Sequence, residues 1–247
     1  ARSGRVYRLE DAALAFTPTE NLYGDFTPAV HKETADAGVV EQLRAWCADT
    51  GRHFCGWTVV LHNSTLGARH PEACVQNCHG DRYPHALCAS NPSVRHYAAA
   101  LVRDICARLR PDSVMLESAT NRAAGHGDHH EIGNTRVGAA ALWLLSLCCC
   151  PHCLGRAAKT PGLDPEQARA TCKRLLQDLL NREVHIPGTD MAQLATLPLE
   201  YPELHAYQRE RQKRTAEFIA IPSQTLRVND VECKPLPTST PFEIASS

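Results

Sequence analysis

The segment 148–153 constrains the fold of this chain more than any other feature of its sequence. It reads Cys148-Cys149-Cys150-Pro151-His152-Cys153 and contains the pattern C-x-C-x-x-C. Thiolates at this spacing converge on one ion at a turn, and zinc prefers four such ligands in a closed tetrahedron. The sequence therefore predicts a zinc-binding cluster with Cys148, Cys150 and Cys153 as ligands.

The spacing leaves the fourth ligand open. His152 could replace a cysteine, and other cysteines lie on both sides of the segment. These are Cys74, Cys78, Cys88 and Cys106 upstream, and Cys172 and Cys233 downstream. The alternative for every cysteine here is a plain packing role as a small buried side chain.

The cysteine content also indicates the compartment. The chain has 12 cysteines and 13 histidines, and three of the cysteines are consecutive. Neighbours that close rarely form the bridges of a disulfide scaffold, so we expect reduced thiols and a cytoplasmic protein. The net charge of -1 gives no argument for binding nucleic acid or an anionic membrane. The longest apolar run, 139–147, is too short to span a membrane.

Hydrophobic spacing predicts an α/β fold. Strands are expected at 53–62 and 113–117, and a long loop at 63–91. The run 53–62 is apolar on both faces, which is typical of a parallel sheet covered by helices. Helices are expected at 39–50, 92–109, 138–147, 164–182 and 201–220.

The order of strand, helix and strand predicts right-handed βαβ units and a parallel sheet, and the fold we expect is a TIM-type (β/α) barrel. Such barrels need roughly 250 residues, and this chain has 247. Because few strands are recognisable, the barrel would be incomplete or would contain strands that a single sequence does not reveal. We expect a barrel-like domain at 1–221 and a Pro/Ser/Thr-rich segment at 222–247, with a strand-like run at 225–228.

One stretch resembles a known family. The run from Leu87 to Arg95 contains Cys-x-x-x-Pro-x-x-Arg, which is similar to a segment of family-42 glycoside hydrolases (β-galactosidases). In that family a helix, a strand ending in the catalytic glutamate and a C-x-C-x-x-C segment follow. The resemblance covers about residues 53–160. It implies that Cys88 is the fourth ligand of a structural zinc and that Glu117 is catalytic.

Other polar residues are predicted to surround Glu117. Because Glu117, His62 and Asn63 follow strands, they should meet at the carboxyl edge of the sheet. The histidine-rich loop 125–131 follows Glu117 directly. We expect Glu131 and His130 to act with Glu117 in catalysis, and the substrate to be bound by His62, Asn63, Asp81, Arg82, His126 and His129.

These residues favour a glycoside-hydrolase-like enzyme that acts on a carbohydrate, because glycosidic cleavage uses paired carboxyl groups. Two alternatives stay open. The histidine-rich loop could bind a transition metal in a hydrolase or lyase, or the barrel could bind a carbohydrate or protein without catalysis. An incomplete barrel would also leave a sheet edge that a second copy could cover, as a homo-oligomer.

Overall fold

A three-stranded parallel sheet lies at the centre of the fold. The structure is a computed structural model of the chain, and it describes residues 12–121, 124, 138–181, 195–197 and 199–235. The strands of the sheet are β3 (Cys55–Val59), β6 (Ser113–Glu117) and β7 (Glu232–Pro235), in the order β3-β6-β7. Cys55 pairs with Ser113, and Ser113 pairs with Glu232. Strand β6 is therefore the middle strand.

Two smaller sheets and eight α-helices make up most of the other regular structure in the described ranges, with a 3-10 helix at Gly24–Phe26 and further helical residues at 195–197 and 199–200. One small sheet is parallel and joins β1 (Ala13–Leu14) to β2 (Ala29–Val30). The other is antiparallel and joins β4 (Cys74–Gln76) to β5 (Arg82–Leu87). The helices are α1 (Lys32–Asp36), α2 (Val39–Asp49), α3 (Ser64–Arg69), α4 (Pro92–Leu109), α5 (Ala139–Ser146), α6 (Pro151–Ala157), α7 (Pro165–Leu180) and α8 (Pro202–Val228).

The predicted βαβ unit is confirmed. Helix α4 lies between β3 and β6 in the chain, and these two strands pair in parallel. The start of α4 follows from local chemistry. The Asn91 side chain accepts a hydrogen bond from the Ser93 N–H at 2.8 Å, and Pro92 occupies the first helical position, where no N–H is needed.

The predicted TIM-type barrel is wrong. The strands of the described ranges form three small sheets instead of one closed sheet. In the described residues after β6, helices α5 to α8 precede β7, which pairs with the side of β6 opposite β3. Closing a TIM-type barrel requires eight strands that tilt around a common axis, whereas the sheet that contains β6 has three strands in the described residues.

The prediction that helices cover both faces of the sheet is also wrong. Alternate residues Val114 and Leu116 are almost fully buried against α4 and α8. On the opposite face Cys55 is exposed, Trp57 is 68% exposed and Val59 is 39% exposed. Successive side chains of a strand point to opposite faces of the sheet, so one face of this sheet is buried and the other is open.

The long helix α8 joins two hydrophobic cores. The first core contains Phe218 and Leu226 of α8, together with α4 and the sheet. The second core contains Leu204 and Tyr207 of α8, together with α5 and α7. The strand-like run at 225–228 is therefore wrong, because burial of Leu226 keeps this segment helical. Helix α8 continues across the boundary placed at residue 221.

The region 63–91, predicted as a loop, contains α3, a 3-10 helix at Pro71–Ala73 and the hairpin β4–β5. Short strands of three to six residues carry too little periodicity to stand out in a single sequence. In the described part of the chain, no single helix is long and apolar enough to cross a membrane. Helices α5 and α6 together have the length and composition, but they are bent by 87°.

Candidate metal centre

Four buried cysteines meet at one point, in a third and smaller cluster of buried residues that also contains Val75 and Ala86. They are Cys88, Cys148, Cys150 and Cys153, and their sulfur atoms all lie within 4.8 Å of one another. Cys88 Sγ lies 3.6 Å from Cys150 Sγ, 3.5 Å from Cys153 Sγ and 3.8 Å from Cys148 Sγ. The prediction of a cysteine group that could hold a metal ion is confirmed.

These separations match a tetrahedral site. With zinc–sulfur bonds of about 2.3 Å, the edges of a regular tetrahedron are about 3.8 Å long. A disulfide would instead hold two sulfur atoms about 2.05 Å apart. The four side chains are therefore free thiols arranged at the spacing of a metal tetrathiolate.

Two turns present the ligands. Cys88 lies in the short turn between β5 and α4, and its backbone N–H donates to the carbonyl of Ala73 at 2.8 Å. Cys148 and Cys150 lie between α5 and α6, and Cys153 lies in the first turn of α6. The sulfur of Cys150 accepts a hydrogen bond from the Cys153 N–H at 3.4 Å, so one ligand also caps the helix that carries another.

Backbone contacts from other elements hold the cysteine segment. The Gln76 N–H of β4 donates to Cys148 Sγ at 3.5 Å, and the Cys149 N–H donates to the carbonyl of Gln76 at 2.6 Å. The Tyr207 hydroxyl of α8 donates to the carbonyl of Cys148 at 2.6 Å. The position of the segment therefore depends on β4 and α8 as well as on its own turn.

The thiols interact electrostatically. Hydrogen bonds from Cys150, Cys153 and Cys88, with a further contribution from the positive charge of Arg211, hold the pKa of Cys148 well below the ordinary value of 9.0. A thiolate is the form that binds a metal, so a lowered pKa suits a ligand role for Cys148.

The remaining candidate ligands lie outside this group. Cys149 packs into the second core, as do Cys78 and Cys172. Cys106 packs into the first core. Cys74 hydrogen-bonds to the carbonyl of Gly67, and Cys233 contacts Ser223. For these cysteines the packing alternative describes the structure.

Glu117 lies at the end of β6, as predicted, and contacts an exposed aromatic ring. The indole N–H of Trp57 donates to Glu117 Oε2 at 2.6 Å. Both side chains lie on the open face of the sheet, because Trp57 and Val59 alternate with buried residues and Val59 pairs with Glu117. Trp57 was not among the predicted site residues, because a strand between two helical layers would have buried its side chain. The alternation of Cys55, Trp57 and Val59 with smaller residues was the available signal.

His62 and Asn63 follow β3, as expected. His62 forms an isolated bridge with Ala86, and its ring meets the edge of the His85 ring at a centroid distance of 6.1 Å. Asn63 caps α3 by accepting from the Leu66 N–H at 2.9 Å, and its amide donates to the Tyr97 hydroxyl at 3.4 Å. Asn63 is 5% exposed, so its polar atoms serve the structure.

Asp81 and Arg82 lie in the hairpin β4–β5, whereas Glu117 lies on the central sheet. Asp81 Oδ2 accepts a hydrogen bond from the Asn77 amide at 3.0 Å, and Arg82 is exposed at the start of β5. The other predicted site residues lie outside the described residues. They are His126, His129, His130 and Glu131.

Fold and site together define a mixed α/β chain with a buried four-cysteine group that could hold a metal ion. No family model, no curated protein and no solved structure matches the chain. The resemblance to family-42 glycoside hydrolases therefore rests on the quoted residues alone and stays a prediction.

Proposed function

We propose that this chain binds one structural Zn²⁺ through Cys88, Cys148, Cys150 and Cys153. The observation that carries the proposal is the set of sulfur separations, 3.5–3.8 Å around Cys88, which matches a zinc tetrathiolate. Four protein thiolates would fill the coordination sphere and leave no position for water or substrate. The role we assign is therefore structural and not catalytic.

The placement of the ligands supports this role. Cys88 follows the hairpin β4–β5 and precedes α4 of the first core. The other three ligands lie between α5 and α6, beside the second core. An ion held by all four would link two parts of the chain that are separated by 60 residues or more. Closing a loop of that length stabilises the fold mainly by restricting the unfolded chain.

Metal analysis of the purified chain tests the proposal. We expect about one zinc per chain, and tetrahedral thiolate absorption bands after exchange with Co²⁺. The double variant Cys150→Ser/Cys153→Ser should lose the zinc. Cys149→Ala is the matched control, because Cys149 is adjacent but packs into the second core, and it should keep the metal. Zinc content that survives the double substitution would contradict the assignment.

A second function is favoured by the contact between Trp57 and Glu117. We propose that the open face around this pair binds a carbohydrate, with Glu117 as general acid/base of a glycoside-hydrolase-like reaction. An exposed indole ring offers an apolar platform, and its N–H holds one carboxylate oxygen in position. Glycosidic cleavage usually requires a second carboxyl group, and Glu131 is the predicted partner, with His130 beside it.

Hydrolysis of p-nitrophenyl β-galactoside tests this proposal. We expect turnover in the wild type, loss of turnover but retained binding in Glu117→Gln, and weaker binding in Trp57→Ala. Trp46→Ala, at another exposed tryptophan, should behave as the wild type. Binding without turnover would favour the non-catalytic alternative, and a complete lack of binding contradicts the carbohydrate site.

The number of metal ions bound per chain distinguishes the glycoside-hydrolase-like enzyme from the metal-dependent hydrolase or lyase. A second tightly bound metal, lost in His130→Ala but not in the cysteine variants, would favour metal chemistry at the histidine-rich loop. One zinc that is insensitive to the histidine substitution argues against it.

A further inference from the structure

Arg211 is a buried cation without a carboxylate partner in the described part of the chain. The side chain lies on α8 and is 7% exposed. Its Nη1 donates to the neutral amide of Gln208 at 3.4 Å, while its Nε and Nη2 atoms are buried without a hydrogen-bond partner. A buried guanidinium destabilises the fold unless an anion offsets its charge.

The acidic residues beside Arg211 on α8 serve another cation. Glu210 and Glu217 both pair with Arg214, and Glu217 also lies 3.7 Å from Arg156. These carboxylates lie on a different side of the helix from Arg211. Arg211 therefore requires a counter-charge from outside its own helix.

The position of Arg211 points to the cysteine group. One helical turn earlier, Tyr207 donates its hydroxyl to the carbonyl of Cys148 at 2.6 Å. Residues four apart share a face of a helix, so Arg211 lies on the face of α8 that contacts the cysteine segment. Its charge acts on Cys148, Cys149 and Cys172.

The four-cysteine group can supply this counter-charge when it holds a metal ion. Four thiolates around one Zn²⁺ would leave a net double negative charge. That charge would lie against the face of α8 from which Tyr207 already contacts the Cys148 carbonyl.

We propose that Arg211 is the buried counter-ion of the metal-bound tetrathiolate. The inference rests on the proposed zinc site and deepens it, because it couples the ion to α8. Without a bound metal, less negative charge faces the guanidinium, whose Nε and Nη2 atoms are buried without a hydrogen-bond partner. When the metal is bound, the positive charge of Arg211 stabilises the negatively charged site. Helix α8, which spans both cores, is thereby held against the cysteine group. Arg211 acts through the thiolates and is a positioning residue, not a ligand.

Two substitutions of the full-length chain test the proposal. Arg211→Met keeps most of the side-chain length but removes the charge, and Arg211→Lys keeps the charge. Zinc affinity is measured by competition with a chelator, and the stability of the metal-free chain is measured by urea unfolding under reducing conditions. We expect Arg211→Met to weaken zinc binding about 10- to 100-fold and Arg211→Lys to restore most of the affinity. The metal-free Arg211→Met chain should be at least as stable as the metal-free wild type.

Weaker zinc binding without any loss of metal-free stability distinguishes a counter-ion from a packing residue. Arg214→Met is the control, because Arg214 pairs with Glu210 and Glu217. It should destabilise the metal-free and zinc-bound chains alike, and zinc affinity should stay unchanged. The counter-ion role is overturned if Arg211→Met destabilises both forms equally and leaves zinc affinity intact. If Arg211→Met does not fold, Arg211→Gln and Arg211→Lys are compared in its place, and equal zinc affinities overturn the proposal.

The outcome for the wild type separates the two proposals. A wild-type chain that binds no stoichiometric zinc contradicts the metal site itself. A wild-type chain that binds zinc with an affinity unaffected by Arg211→Met contradicts the counter-ion alone.

Discussion

Neighbouring cysteines in this chain have different physical roles. Cys148 and Cys150 point their sulfur atoms toward Cys88 and Cys153, whereas Cys149 between them packs into the second core. The extended backbone at Cys150 sends successive side chains in opposite directions. One short segment thus supplies two possible ligands and one core residue.

Cys74 illustrates a buried thiol with a packing role and a pH-dependent effect on stability. Burial raises its pKa to about 11, from an ordinary value of 9.0. The folded chain therefore binds this proton more tightly than the unfolded chain. The resulting stabilisation is complete below about pH 9 and is lost as the pH rises through 11.

Removing this thiol should therefore flatten the dependence of stability on pH. Between pH 8 and pH 11 we expect the wild type to lose about 2 kcal/mol more free energy of unfolding than Cys74→Ala. Urea unfolding of the reduced chain at a series of pH values measures the difference. Cys55→Ala removes an exposed thiol and should follow the wild type. If the free energy of unfolding depends on pH in the same way for the wild type and Cys74→Ala, burial does not raise the pKa of Cys74.

Elements near the site lie in direct backbone contact. Helix α3 packs against β5, the strand that leads to Cys88. A Cβ atom at Gly67 of α3 would lie 1.8 Å from the carbonyl oxygen of Pro84 in β5. Since backbone atoms cannot move aside as a flexible side chain can, only glycine allows this approach.

Gly67→Ala should therefore force α3 away from β5. We expect a loss of about 2–3 kcal/mol in the free energy of unfolding, and weaker zinc binding because β5 positions Cys88. Thermal or urea unfolding and a zinc competition assay measure these effects. Gly155→Ala in α6 is the control, since a Cβ there has no atom within 4 Å. That control should be neutral or more stable by up to about 1 kcal/mol. Equal behaviour of the two variants would show that the contact between α3 and β5 is not tight.

Helix α8 connects the whole molecule. Leu204 and Tyr207 are buried in the second core, and Phe218 and Leu226 are buried in the first. Disruption of one core withdraws part of the same helix from the other. The two cores should therefore unfold as one cooperative unit.

Trp143 provides a probe of the second core, since it is 5% exposed and the other tryptophans, Trp46 and Trp57, are exposed. In the variant Trp46→Phe/Trp57→Phe, the fluorescence of Trp143 and the far-ultraviolet circular dichroism of the whole chain should give the same urea midpoint. Leu204→Ala should lower both urea midpoints to the same extent, with a loss of about 2–5 kcal/mol in the free energy of unfolding. Separate midpoints for the two signals would show that the cores are independent.

Local features of this protein follow from its sequence. The bounds of α4 and β6 are as predicted, because a cap, a proline and the periodicity of side chains act within a few residues. The grouping of Cys148, Cys150 and Cys153 follows from spacing for the same reason. The resemblance to family-42 enzymes added Cys88, which no local rule selects.

Only the tertiary structure decided how distant segments combine. The pairing of β7 with β6 gives an open three-stranded sheet in place of a barrel. The folded chain also leaves Trp57 exposed beside Glu117 and places Tyr207 of α8 against the cysteine group. Such pairings depend on the free energy of burial summed over the whole chain, and local periodicity does not contain that sum. The cysteine spacing therefore predicts a possible metal centre, while the folded chain determines its charge environment and the elements that hold it.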